Sequence, residues 1–181
     1  MNNTTFFVNG NAGDNPASYD GSTYTSGVAS LPKGDYINSG FEKRIWVGDK
    51  TKGKVYYTDQ IPFGTSVTGG SEFIYFNAEN GQAMTGLFQS QKALLVFYPD
   101  NIFRIYGATS SDPYPAYYVG TYSQESIVKA KDGLYFHHSS GFYKFQYDGQ
   151  PQEISVILIL SPVNFVSALL FNFYFRVFLF Q

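Results

Sequence analysis

Three stretches of the chain repeat one arrangement of apolar and polar positions. "RIWVGDKTKGKVYYTD" (44–59), "ALLVFYPDNIFRIYG" (93–107) and "LYFHHSSGFYKFQYD" (134–148) each run from an apolar segment through a short polar loop to a second, aromatic-rich segment. The loops "KTKG", "PDN" and "SSG" have the length and residues of tight hairpin connections, so each stretch predicts a β-hairpin. A further short apolar segment precedes two of them, "AMTGLFQ" before "KALLVFY" and "ESIVKAK" before "GLYFHH". The units recur every ~40–50 residues, the period of propeller-type blades.

Inside the hairpins the pattern says how each strand is covered. "ALLVFY" is apolar at every position, which predicts a strand buried on both faces. "FYKFQY" alternates, with Tyr143, Phe145 and Tyr147 on one face and Lys144 and Gln146 on the other. Inner strands buried twice and outer strands partly wet suit blades packed between neighbouring blades better than a two-sheet sandwich. The expected fold is therefore all-β: repeated antiparallel β-hairpin or blade units, two full and one partial, forming a partial β-propeller. Such a count is too small to close a ring of four to eight blades, and favours a fragment of a larger propeller.

The flanks read differently. Residues 1–40 are rich in Asn, Gly, Ser, Thr and Asp, and predict a loop-dominated N-terminal segment in which only Thr5–Val8 resembles a strand. Residues 41–155 form the β-blade repeat domain. Residues 156–181, "VILILSPVNFVSALLFNFYFRVFLFQ", lose glycine and acidic residues and keep Arg176 as their sole charge. Three readings of this C-terminal tail stand side by side: a membrane-associated segment, for which ~20 apolar residues suffice; part of a buried core; or a non-native, frameshifted end. Pro162, Asn164 and Asn172 interrupt the first, and no basic cluster flanks it.

Composition narrows the function. Among 181 residues, 12 Lys plus Arg stand against 14 Asp plus Glu, a formal net charge of −2, so the totals carry no electrostatic footprint for nucleic acid. Charged residues are 14% and aromatics 19%, with 18 Gly, which favours pleated, turn-rich structure. There is no cysteine, which removes disulfide staples, thiol nucleophiles and Cys-ligated zinc together. No basic leader followed by an apolar core opens the chain, so the N-x-Thr patterns at Asn2 and Asn3 carry little weight.

The candidate chemistry is sparse. His137 and His138 are the only histidines, but neighbours on a strand point to opposite faces and cannot grip one ion together. They are expected at a strand end beside the Ser139–Ser140–Gly141 turn. No nucleophile elbow, Walker loop, dinucleotide fingerprint or H-E-x-x-H is present. Asp59, Glu72, Glu79, Asp100, Asp112, Glu125, Asp132, Asp148 and Glu153 fall mostly in predicted turns, where Asp serves the backbone; distant loops could still assemble a glycosidase pair from them. Lys43, Arg44, Lys50, Lys52 and Lys54 form one basic cluster, either a solvated hairpin or a contact for nucleic acid or an acidic protein. Tyr114, Tyr117 and Tyr118 in "DPYPAYYVGTY" are either anchors for a protein or sugar, or a cover for the core edge. No catalytic, cofactor or metal residues are assigned, and no cofactor is expected.

In order along the chain, "LPKGDYINSGFEKRIWVGDKTKGKVYYTD", "NGQAMTGLFQSQKALLVFYPDNIFRIYG" and "VGTYSQESIVKAKDGLYFHHSSGFYKFQYDGQPQEIS" resemble a family of bacteriophage structural proteins. These are the β-propeller tail or head–tail connector components, among them the packaged-DNA stabilisation proteins. The resemblance covers residues 31–155 and stops near Ser155, where the family would continue into further blades. It implies a non-enzymatic virion protein acting through contacts with other virion proteins in an oligomeric assembly. The alternatives are a glycan-binding or glycan-cleaving β-propeller and a membrane-anchored β domain.

Overall fold

The computed structural model describes residues 4–8, 14–28, 30–61, 67–77, 81–107, 110–111, 115–146 and 149–154. These residues form fifteen β-strands and short 3-10 turns, with no α-helix among them. The tail 156–181 lies outside the described residues, as do Tyr114, Glu79, Asp112, Asp148 and Tyr147. Among the described residues no helix is long and apolar enough to cross a membrane.

The strands build four antiparallel sheets, each following chain order. The N-terminal sheet contains β1 (Thr5–Phe7), β2 (Ala17–Tyr19) and β3 (Tyr24–Ser26). The first four-stranded sheet contains β4 (Tyr36–Ser39), β5 (Ile45–Asp49), β6 (Lys54–Thr58) and β7 (Gly69–Tyr75). The second contains β8 (Gly86–Gln89), β9 (Leu94–Phe97), β10 (Ile102–Tyr106) and β11 (Ser110–Ser111). The third contains β12 (Val128–Ala130), β13 (Gly133–His138), β14 (Gly141–Phe145) and β15 (Gln152–Glu153).

All three predicted hairpins are present, as β5–β6, β9–β10 and β13–β14. The count of units differs from the expectation. All three sheets have four strands, because β4 pairs with β5 and β7 with β6 to complete the one expected to be partial. The boundary at residue 40 consequently falls inside the first sheet. The N-terminal segment also holds more order than its turn-rich composition predicts. Asp20 Oδ1 accepts from Ser22 N at 2.9 Å and Thr23 N at 2.7 Å, closing the β2–β3 hairpin by side chain where apolar pattern is lacking.

The sheets stack through their faces. On β9, Leu94 and Val96 turn toward the first sheet, in a core with Trp46, Val55, Met84, Leu87, Phe103 and Ile105. The alternate residues Ala93, Leu95 and Phe97 turn toward the third sheet, in a core with Ile102, Leu134, Phe136 and Phe145. Every β9 residue is buried, as its unbroken apolar run predicts. A third cluster, Leu31, Ile45 and Val47 with Phe6, Val8 and Val28, seats the N-terminal sheet on the far face of the first. No comparable cluster covers the far face of the third sheet among the described residues.

Polar ties lock the second and third sheets together along one edge. The Gln124 side chain reaches the β8 backbone, its Oε1 accepting from Leu87 N at 2.7 Å and its Nε2 donating to Leu87 O at 3.3 Å. It thereby stands in for a neighbouring strand. Buried Thr121 donates to His137 O at 2.8 Å, while Thr85 Oγ1 donates to Thr121 O at 2.5 Å. Gly120 permits this close approach, because a Cβ there would collide with Tyr98 O.

Candidate functional site

The hairpin turns of the second and third sheets meet at one end of the stack, and the only polar network that spans the two turns lies there among the described hydrogen bonds. Counting outward from the turns aligns the hairpins. Tyr98 and Asn101 flank Pro99–Asp100, with Tyr98 N donating to Asn101 O at 2.8 Å, as His138 and Gly141 flank Ser139–Ser140. Equivalent positions are therefore Phe97 and His137, Ile102 and Phe142, Leu95 and Tyr135, Arg104 and Lys144.

As expected, β13 ends at His138 and the two histidines point to opposite faces. His137 is exposed on the outer face, 5.0 Å from the Phe142 ring. His138 faces the second sheet, where the sequence offered no partner, and there its Nε2 meets Asp100 Oδ1 at 3.2 Å. Its Nδ1 faces Ser140 Oγ at 2.8 Å and accepts from Ser140 N at 3.3 Å. A carboxylate only accepts, so Nε2 is the donor in the contact with Asp100. A run of polar contacts thus links Tyr143 Oη, Ser140 Oγ (2.9 Å), His138 and Asp100. Gln82 Nε2 donates to the second oxygen of Asp100 at 2.6 Å. Hydrogen bonds from Gln82, then from His138, hold the Asp100 carboxyl below its usual range.

A serine, a histidine and an aspartate in series resemble an acyl-transfer triad, but the geometry serves the turn. Ser140 N is turned onto His138 Nδ1 at 3.3 Å and is not offered to a developing oxyanion. Ser140 lies two residues from His138, and the pair closes a two-residue hairpin loop. Among the described residues no group of three or more His, Asp or Glu could hold a metal ion.

The other candidates are dispersed. In the basic cluster, Lys52 pairs with Asp49 at 2.8 Å, Lys54 sits 3.8 Å above the Phe73 ring, and Arg44 donates to Thr58 O beside Tyr57. Burial alone would raise the Asp49 carboxyl, yet Lys52 and Thr51 outweigh it and hold it low. Glu72 accepts from Tyr57 Oη at 2.8 Å, Glu125 from Ser123, and Asp132 from Lys144 Nζ at 2.7 Å. Tyr117 is a core-edge cover: it is buried, bridges to Ile102 and packs 5.4 Å from Phe145. Tyr118 projects into solvent at 74% exposure. Sequence reading missed Gln82 and Tyr122, the latter stacked on His138 with ring centres 6.1 Å apart. Neither carries a motif; the folding of two turns side by side brings them in.

Comparison of the chain with family models, with curated proteins and with solved structures returns no match.

Proposed function

We propose that this chain is a non-enzymatic structural component of a bacteriophage virion, at the tail or the head–tail junction, whose three stacked sheets are part of a β-propeller. One observation carries the reading. The outer face of the third sheet stands, position for position, at the register of the face that the second sheet buries, and two of its four positions, His137 and Phe142, are exposed. Leu95, Phe97 and Ile102 are fully buried under the third sheet, whereas Phe142 is 39% exposed and His137 lies in solvent. Stacked repeats hide their apolar faces against neighbours, and a face of this register fits another four-stranded antiparallel sheet. A partner virion protein or a further blade would supply it. The ordered motifs over residues 31–155 support the same assignment.

Two measurements test it. Mass spectrometry of purified particles is expected to find the protein, and its consistent absence from particles would overturn the virion role. A photo-crosslinking residue at Phe142 is expected to capture another particle protein; capture of residues 156–181 of the same chain would instead show the face to be covered internally.

A further inference from the structure

We infer that the turn end of the second and third sheets carries a shallow binding site for a neutral saccharide, with Tyr122 as stacking platform and Asp100 as hydroxyl acceptor. The site is independent of the proposed virion role, since it lies at the hairpin tips and leaves the outer sheet face untouched.

Sugar recognition needs an aromatic ring whose one face is fixed and whose other face meets water. Tyr122 fits: its ring stacks on His138 with planes 21° apart, yet the residue remains 57% exposed. His138 is itself immobilised, its side chain only 13% exposed and both nitrogens engaged. A second requirement is a planar polar group able to take paired hydroxyls. The Asp100 side chain is 50% exposed, and its two oxygens have about four lone-pair sites, of which Gln82 and His138 occupy one each. Both donors pin the carboxylate in place, so a ligand would not have to order it. Beside it, Gln82 Oε1 is buried with no hydrogen-bond partner, so the exposed acceptors of the site are those of Asp100.

The same features select the ligand class. A carboxylate held in its charged form repels phosphate, which argues against nucleotides and nucleic acid. An exposed Tyr face next to an acceptor-rich rim suits the C–H face and vicinal hydroxyls of an uncharged hexose. The platform comes from the segment before β12 and the acceptor from the β9–β10 turn. His138 touches both, so the two elements are brought to one place by the inter-sheet contact itself.

The test uses the full chain and a panel of neutral oligosaccharides of glucose, galactose, mannose and N-acetylglucosamine, read by saturation-transfer NMR and titration. At least one is expected to bind saturably, with Tyr122→Ala and Asp100→Asn each weakening it by about tenfold or more. Tyr122→Phe is expected to bind as the parent does, and so is Tyr24→Ala, which removes a 65% exposed tyrosine from the N-terminal sheet. Thermal melts of each variant separate lost binding from lost folding; Tyr122→Ala removes a largely exposed side chain and is expected to melt with the parent. No saturable binding across the panel, unchanged binding by Tyr122→Ala, or equal loss in Tyr24→Ala would overturn the site.

Discussion

The outer faces of the second and third sheets are built on the same register and differ in what lies against them. On the second sheet, Leu95, Phe97, Ile102 and Arg104 face a neighbour. On the third, the equivalent His137 and Phe142 are exposed, while Tyr135 and Lys144 are half-buried. The covered set is aliphatic and aromatic, with one cation kept at the margin, where Arg104 lies over Tyr106 and Tyr117. The set on the third sheet keeps the aromatic bodies but adds polar tips, and Lys144 lies over Tyr135 while its amine pairs with Asp132. Such amphipathic side chains tolerate water and still offer area to a partner. The difference shows that the strand backbone does not decide which face is core; the next sheet does.

The largest effect should separate the two faces directly. Phe97→Ala is expected to cost about 3–5 kcal/mol in denaturant unfolding, as for a fully buried aromatic, and Phe142→Ala less than about 1 kcal/mol. Equal costs would mean that the outer face of the third sheet is already covered in solution. Next comes Gly120→Ala. A side chain there must push Tyr98 O away, and overpacking of this kind costs about 1–3 kcal/mol, measurable as a lower melting temperature. A silent Gly120→Ala would mean the two sheets are less closely seated than described. Gln124→Ala should follow, losing two backbone contacts worth about 1–2 kcal/mol together and speeding amide exchange at Leu87.

The smallest effect is pH-dependent. Asp100 has its carboxyl pKa lowered in the folded chain from an ordinary 3.8 by Gln82 and His138. A lowered value adds stability above the unfolded pKa, and that stability is lost as pH falls through the folded one. The parent should thus be slightly more stable than Asp100→Asn near neutral pH, with the gap closing below about pH 4. Half-exposed pairs of this kind contribute little, so a large gap would indicate that the turns, and not the apolar core, hold the third sheet in place.

Much of the fold was legible because apolar patterning marks buried strands. The hairpins containing β5–β6, β9–β10 and β13–β14 follow from it, as does the burial of β9 on both faces. Several of the strands that escaped carry little apolar signal, although β7, with Phe73 and Ile74, carries more. β3 reads "YTS", is exposed throughout and is recruited by pairing with β2, while β4 reads "YINS" and half-buries Tyr36 and Ile37 once it pairs with β5. The site was less legible still. The opposed histidines follow from strand geometry, but the bond from His138 to Asp100 joins residues 38 positions apart. Gln82 and Tyr122 lie in stretches singled out for other residues, and nothing in those stretches marks either of them as a partner of His138 or Asp100. Only the seating of one sheet on the next brings them together.

The N-terminal sheet has a consequence for assembly. By sitting over Ile45 and Val47, it denies the first sheet's β5 surface to any full-width newcomer. The two outer sheets of the stack are therefore unlike: the first carries the N-terminal sheet on its far face, and the third shows His137 and Phe142 to solvent. An assembly that needs a fixed length, or a ring that must close once and stop, benefits from a terminator of this sort.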